Sequence, residues 1–476
     1  MGSRNRRVLI SGPHRPPRME RARGPLILTC IALVPIVLWL TAQPLDIRFS
    51  DAATSLTSGA ILIGLAGSAL YAANLVLGAR VRLVTAFFGG FERMYAVHRG
   101  SGKIVIWLLV AHASGMFAGR ALNSWESAFR LFLPVDDWVT FYGVIALILI
   151  SITMFLTLYV RLGHETFVYV HRVFGAVLAL VALHVFLAPG IKDGADPHTY
   201  FLGALFVAGA CGYVYRSLFG NVLVLRKDYR VTGARPLDPY VIEITMSPTN
   251  GPLSFRPGQF IFVTFYSDEF NAQFHPFSVT PEGGSAIIAV RPGDVREQFH
   301  PFSITSSPRE RDLKVSVKAV GDYTTAMQTL QAGATARVEG PYGNFSYLAA
   351  RRKKQVWVAG GIGITPFLSM ARSLSDDKYE IDLFHGAKTR AMAYFSQELA
   401  KIEQSRRTFR LFLVPEDEVG FITAERIEQR SGDLTERSFL LCGPPAMVES
   451  LTEQLVRRGV SRKEIYFERF GFGPRG

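Results

Sequence analysis

The stretch KQVWVAGGIGITPFLSMARSL, Lys354 to Leu374, runs from consecutive apolar residues through a glycine turn into apolar residues at helical spacing. That order reads as a buried strand, a turn and a helix. Within it, Gly360, Gly361 and Gly363 leave room for the backbone to approach a pyrophosphate. The helix that opens near Thr365 and Pro366 then presents N–H groups and the positive end of its dipole. YEIDLFHGAKTR (Tyr379–Arg390) reads as a second strand, and SFLLCGPPAMVESL (Ser438–Leu451) as a further strand entering a helix. Strands alternating with helices in this way build a doubly wound α/β sheet, which binds ligands at the carboxyl ends of its strands. Gly443 and Pro444 make the second turn and place the Cys442 thiol where a nicotinamide can lie against it. Arg390, beside Lys388 and followed by Tyr394, forms a basic cluster after the second strand. No carboxylate stands at that strand end in the sequence, so the cluster favours a ribose 2′-phosphate and hence NADPH, with NADH possible. A solvated basic turn is the competing reading.

Upstream, NVLVLRKDYRV (Asn221–Val231) and FRPGQFIFVTFY (Phe255–Tyr266) alternate at the period of strands and are broken by Gly and Pro. Short strands of this kind predict an antiparallel β-barrel over 221–347. The barrel region contains one octapeptide twice: QFHPFSVT at Gln273–Thr280 and QFHPFSIT at Gln298–Thr305.

The first half of the chain differs in character. Hydrophobic residues make up 49% of the 476 positions and include 35 Phe, high for a soluble enzyme. They concentrate before about residue 220, where six apolar segments of spanning length lie near 25–42, 57–78, 96–118, 138–160, 166–188 and 199–219. The net charge of +13 is gathered partly in Arg4, Arg6, Arg7, Arg15, Arg18, Arg21 and Arg23, before the first of these segments. Arg80, Arg82, Arg93, Arg99 and Lys103 lie between the second and third. This asymmetry follows the positive-inside rule, puts both termini in the cytoplasm, and removes the case for nucleic acid as a partner. The three cysteines have no CxxC pair, which excludes a disulfide scaffold and a cysteine-ligated cluster.

Four of the ten histidines fall in two of the spanning segments: His98 and His112 in the third, His171 and His184 in the fifth. An imidazole in lipid is unfavourable without a partner, so each is a functional candidate. Separations of 14 and 13 residues correspond to about 20 Å of helix rise, most of a hydrocarbon core. His98 then comes level with His171 and His112 with His184. Two levels of two facing imidazoles suit two bis-histidine haem irons, one above the other. On a helical wheel, 14 residues return to nearly the same face and 13 do not. The fifth helix is therefore either irregular, near Gly175, or approached from different sides.

Together these residues resemble the NADPH oxidase/ferric reductase superfamily of transmembrane flavocytochromes, over nearly the whole chain after residue 24. The resemblance implies a basic cytoplasmic segment (1–24), a six-helix transmembrane di-haem domain (25–220), an FAD-binding β-barrel (221–347) and an NAD(P)H-binding α/β domain (348–476). It also implies b-type haems on the four histidines, and an H-P-F-[ST] flavin motif. The continuation DLKVSVKAVGDYTTAM follows the second octapeptide, assigning the flavin to His300, Pro301, Phe302, Ser303 and Thr305, with Lys318, Gly321, Tyr323 and Thr324 downstream. The first copy, around Phe277 and Ser278, is then a spare from a tandem duplication. An aromatic near the end, Phe470 or Phe472, is implied to stack on the flavin. The implied activity takes electrons from cytoplasmic NADPH through FAD and two haems to an extracytoplasmic acceptor. Ferric chelates are the leading acceptor, with O2, a quinone or a dedicated partner protein as alternatives. The superoxide-producing members carry a further histidine one turn beyond the outer ligand, where this chain has Met116. The implied location is a bacterial cytoplasmic membrane.

Overall fold

The computed structural model describes residues 18–88, 90–133, 138–160, 162, 164–188, 196–219, 224–266, 299–375 and 377–468. The first octapeptide copy and the terminal residues Phe470 and Phe472 lie outside the described residues. The chain divides into two compact units, one ending at Val224 and one beginning at Leu225.

In the first unit, α1 (Arg18–Ala42), α2 (Ala52–Gly78), α3 (Phe91–Ala121), α4 (Trp138–Tyr159) and α5 (His164–Leu187) each contain a window long and apolar enough to cross a membrane. A further apolar helix, α6 (Pro197–Tyr213), has 17 residues and continues into a π turn, Val214–Leu218. Among the described residues, five helices therefore meet the spanning criterion where the sequence led us to expect six. The Asp51 carboxylate caps α2 by accepting the Thr54 N–H at 2.9 Å. Small residues along α2 let its neighbours close in: α2 packs against α1, α3 and α6, while α4 packs against α5. A Cβ at Gly115 would meet the Ala60 Cβ at 2.8 Å, and one at Gly209 would meet the Ala72 carbonyl oxygen at 2.9 Å. The buried Tyr71 hydroxyl of α2 donates to the Phe174 carbonyl of α5. The irregularity considered for α5 is absent, since it is α-helical throughout His164–Leu187.

The second unit holds two sheets. Strands β1 (Arg226–Asp238), β2 (Val241–Pro248), β3 (Phe260–Tyr266), β4 (His300–Ser303), β5 (Leu313–Lys318) and β6 (Thr335–Tyr342) form a six-stranded sheet in the order β4-β3-β6-β1-β2-β5. Every pairing in it is antiparallel. Its two edges meet at one isolated bridge, Ile304↔Val315, so closure into the expected barrel is limited to that point among the described residues. Alternate side chains such as Ile242, Ile244, Val315 and Val317 fill its core.

β7 (Lys354–Gly360), β8 (Glu380–Ala387), β9 (Phe409–Pro415), β10 (Ser438–Cys442) and β11 (Ile465–Glu468) form a parallel sheet in the order β11-β10-β7-β8-β9. Helices α7 (Thr365–Ser373) and α8 (Ser396–Ser405) contribute Phe367, Leu368 and Leu399 to the core on one face. Helices α9 (Ala424–Ser431) and α10 (Pro445–Arg457) contribute Ile427, Leu451 and Leu455 on the other. Burial on both faces explains why the strands read as continuous apolar runs. The chain proceeds from β7 to β8 and β9 on one side, then returns to place β10 on the other. The strand order thus reverses between β7 and β10, at Gly360 and Cys442.

Gly258, in the turn before β3, brings the antiparallel sheet against α7. Its φ is +90°, and a Cβ there would stand 2.1 Å from the Phe345 carbonyl oxygen and 2.4 Å from the Met370 methyl. Gly258→Ala should destabilise the soluble unit by about 2–4 kcal/mol, combining backbone strain with the clash. Denaturant unfolding followed by tryptophan fluorescence measures this; an unchanged midpoint would contradict it.

Candidate functional site

Two groups of residues carry chemistry, one in each unit. In the membrane unit the four imidazoles meet in the expected pairs. The ring centroids of His98 and His171 are 6.0 Å apart, and those of His112 and His184 are 6.1 Å apart. His98 Nδ1 lies 3.1 Å from the Asn74 carbonyl oxygen, His112 Nδ1 2.8 Å from that of Ala60, and His184 Nδ1 2.9 Å from that of Val139. A carbonyl only accepts, so each of these Nδ1 atoms carries the proton and each Nε2 keeps its lone pair. His171 Nδ1 is buried without a hydrogen-bond partner among the described residues, and its ring stacks on Phe167 at 5.3 Å.

The 13-residue spacing in α5 is met by rings that leave the helix in different surroundings: His184 over Gly143 of α4, His171 between Phe167 and Phe174. Two glycines form seats that the sequence reading missed. A Cβ at Gly64 would lie 2.6 Å from His112 Nδ1, and one at Gly143 would lie 2.7 Å from His184 Nδ1. Glycines in spanning helices are common at helix contacts, and that is the signal that could have found them. Among the described residues there is no group of three or more His, Cys, Asp or Glu placed to hold a metal ion.

In the second unit, His300–Ser303 of the second octapeptide copy forms β4, an edge strand paired with β3 as Ser303↔Phe260, Phe302↔Ile261, Pro301↔Phe262 and His300↔Val263. Ser303 Oγ and Thr305 Oγ1 are buried and have no hydrogen-bond partner among the described residues. The His300 ring stacks on Tyr323 with centroids 3.8 Å apart, and burial pushes the Tyr323 phenol up to about 12. Lys318 ends β5 and is exposed. At Gly321 the chain turns, and Thr324 Oγ1 accepts the backbone N–H groups of Val320 and Gly321 while donating to the Gly321 carbonyl. Its hydroxyl therefore holds the turn itself.

The same segment is fastened to α7. Ser369 Oγ donates to the Ser306 carbonyl at 2.7 Å, and Arg372 Nη1 to the Thr305 carbonyl at 2.9 Å. Arg372 also forms a two-bond contact with Glu398 of α8, at 2.7 and 2.8 Å, and reaches Glu243 of β2 at 3.4 Å. One largely buried guanidinium thus joins both sheets' layers, a role no local sequence signal marked.

At the carboxyl ends of β7 and β10, the two glycine turns touch. A Cβ at Gly363 would lie 2.3 Å from the Cys442 carbonyl oxygen, and one at Gly443 would lie 3.0 Å from Gly360 Cα. Gly361 has φ +54° with open space around its Cβ position. Thr365 Oγ1 donates to the Ile362 carbonyl, and Pro366 sits in the first turn of α7. Pro444 caps α10 and packs over Gly360. Cys442 is fully buried in the α7-side core, so it is the strand's carbonyl, and not the thiol, that meets the turn. Behind this turn His385 Nε2 lies 3.3 Å from the Gly361 carbonyl oxygen, and burial pushes its imidazole down to about 4. Neutral at ordinary pH, it donates to the glycine turn.

The basic cluster after β8 is occupied by carboxylates. Arg390 makes two bonds to Glu418, at 3.0 and 2.6 Å, and the Tyr394 hydroxyl donates to Asp238 of β1. Burial and that carboxylate raise the Tyr394 phenol. The expectation that no carboxylate stands at this strand end is corrected by Glu418. It arrives from the turn after β9, a neighbour in the sheet and not in the sequence.

Comparison with known proteins adds to this geometry. A ferric reductase like transmembrane component model matches residues 63–182, an FAD-binding domain model residues 227–290, and an oxidoreductase NAD-binding domain model residues 357–453. The flavin-domain match covers the first octapeptide copy and stops before the second; among the described residues, His300–Ser303 of the second copy is paired in the sheet. The match therefore weighs towards the first copy and the sheet pairing towards the second. NADH-cytochrome b5 reductase 1 of Dictyostelium discoideum is 30% identical over 34% of this chain and 61% of its own length. The glycine betaine monooxygenase reductase subunit of Chromohalobacter salexigens is 30% identical over 31% of this chain and 43% of its own. The chain thus spans about half the length of these curated relatives. The flavohem-like FAD/NAD binding domain of nitric oxide dioxygenase from Vibrio cholerae covers 52% of this chain and 98% of its own, at 21% identity and a TM-score of 0.41. With a ferric reductase-like transmembrane component followed by FAD- and NAD-binding domains, the chain has the architecture of the NADPH oxidase/ferric reductase superfamily.

Proposed function

We propose that this chain is a transmembrane oxidoreductase that takes electrons from a reduced nicotinamide nucleotide and delivers them, through FAD and two b-type haems, to an acceptor across the membrane. The observation that carries the reading is the double imidazole pair. In two pairs at two levels, three Nδ1 atoms are committed to carbonyls, and those three rings keep their Nε2 lone pairs available for ligation. Ring centroids near 6 Å are close to the spacing of two imidazoles sharing one metal ion through bonds of ~2.0–2.1 Å. For the flavin, the fitting observation is the pair of buried, unpartnered hydroxyls of Ser303 and Thr305 on the motif strand, which a polar ligand would satisfy.

When bound, the flavin converts a two-electron donor into single electrons and the haems relay them. The chain's own residues do the rest. Gly360, Gly361 and Gly363 keep the turn open to a pyrophosphate, with His385 holding the Gly361 carbonyl from behind. Ser369 and Arg372 hold the motif strand against the helix that this turn begins. Gly64 and Gly143 fix the orientation of His112 and His184.

On this reading α6, extended by its π turn, is the sixth span, since the combined element reaches roughly 33 Å at 1.5 Å per residue. The Lys/Arg bias around the start of α1 and around the α2–α3 connection supports a cytoplasmic position for the termini and the nucleotide site, in what we take to be a bacterial cytoplasmic membrane. Ferric chelates are the proposed acceptor. Met116, where a superoxide-producing relative would carry a further histidine, weighs against dioxygen as the dedicated one.

A spectrum of the purified protein before and after anaerobic addition of NADH or NADPH tests the reading. The expected result is low-spin b-type haem, about two per chain, reduced only when FAD is present. No haem absorbance would overturn it, and one haem would mean the pairs do not both ligate. Gly143→Ala, by pushing the His184 ring aside, should lower haem content to about one per chain and leave the His98–His171 centre in place. In the soluble half, Ser303→Trp should abolish flavin binding, measured by flavin released on denaturation, while Ser278→Trp should not. Loss with the Ser278 variant alone would assign the flavin to the first copy.

A further inference from the structure

At the carboxyl ends of β8 and β9, one guanidinium and one carboxylate are matched. Ala387 pairs with Pro415 where the two strands finish. Arg390 follows β8 by three residues, and Glu418 lies in the single helical turn Glu416–Val419 that follows β9. The Asp417 N–H donates to the Lys388 carbonyl at 3.2 Å, tying the two loops together and delivering the neighbouring carboxylate to Arg390. The contact is two-pronged, Nε to Oε1 at 3.0 Å and Nη2 to Oε2 at 2.6 Å, the fork geometry in which a guanidinium also grips phosphate. Each partner holds the other charged: Arg390 is raised above its ordinary value by Glu418, and Glu418 is lowered by Arg390.

We propose that Glu418 sets the nucleotide preference of this chain and favours NADH over NADPH. The proposal deepens the function given above and rests on it. In a doubly wound sheet, the end of the second strand of the nucleotide-binding half is where the adenosine ribose is read. A carboxylate there takes the 2′-hydroxyl, and a free arginine takes a 2′-phosphate. Here Arg390 already has a carboxylate in the place of the phosphate, and Tyr394 is engaged by Asp238. Asp417 also acts on Arg390, and the two joined loops together carry two cations, Lys388 and Arg390, and three anions, Glu416, Asp417 and Glu418, a balance that disfavours a further dianion. The ion pair is also exposed, with side-chain accessibilities of 62% and 42%. Water weakens such a pair, so the phosphate competes for Arg390 and the result is a preference, not exclusion.

Calorimetry on the full-length, detergent-solubilised protein tests this without relying on turnover. Adenosine 2′,5′-bisphosphate and 5′-AMP are titrated into wild type, Glu418→Gln and the double variant Arg390→Met/Glu418→Gln. Wild type should bind 5′-AMP at least as tightly as the bisphosphate. Glu418→Gln should tighten the bisphosphate roughly tenfold and leave 5′-AMP within about twofold, and the double variant should lose that gain. The ratio of kcat/KM for NADPH over NADH in flavin reduction should rise in parallel. A wild type that prefers the bisphosphate, or a Glu418→Gln protein with unchanged ratios, overturns the assignment while the proposed function stands. Failure of either nucleotide to bind, with no flavin reduction by NADH or NADPH, overturns the function and the assignment together.

Discussion

A neutral imidazole has one donor and one acceptor, and in a spanning helix there is little water to satisfy either. The membrane unit is organised around that requirement. Asn74, Ala60 and Val139 lend backbone carbonyls to three of the four rings. A carbonyl in the middle of a helix has a second lone pair to offer, so this arrangement leaves the helices intact. The small residues of α2 follow from the same need. A helix that lends Ala60 and Asn74 to rings on α3 must lie close to α3, and Gly64 lets it do so. On the other side, α4 approaches α5 with Gly143 beneath His184 and Val139 beside it.

In the soluble unit the corresponding constraint is a shared segment. Residues 303–307 leave the antiparallel sheet and at once hydrogen-bond to α7, the helix that the glycine turn begins. On the proposed reading, the strand that would hold the flavin and the turn that would face a pyrophosphate are therefore two ends of one hydrogen-bonded unit. Arg372 stands at its centre. Removing its charge would leave Glu243 and Glu398, both near the junction, without their common counter-ion.

Much of this was legible in the sequence because it is periodic or local. Lys354–Leu374 folds as read, since a continuous apolar run before glycines is what a strand buried on both faces requires. The pairing of His98 with His171 and His112 with His184 was legible because helix rise is nearly invariant. What escaped depends on which elements become neighbours. Glu418 lies 28 residues from Arg390 and reaches it only because β9 is placed beside β8. The acidic run Glu416–Glu418 was visible, but its target was not. Cys442 was read as facing a ligand because it ends a strand; the alternation of the strand turns its side chain into the core instead. The 13-residue spacing in α5 looked like a defect because a helical wheel shows the direction of the Cα–Cβ bond and ignores the length of the imidazole arm.

The glycine seats under His112 and His184 have a consequence for rate as well as for binding. A ring whose Nδ1 is fixed to a carbonyl, and which lies so close to a glycine that a methyl group would collide with it, has few ways to rotate or shift. On the proposed reading, these two rings would hold a metal ion that carries electrons one at a time, so their surroundings would have to suit two charge states differing by one unit. Surroundings already arranged for both charge states need little rearrangement when the electron arrives. The absence of two side chains would then act as a kinetic device, keeping the reorganisation energy of the outer centre small.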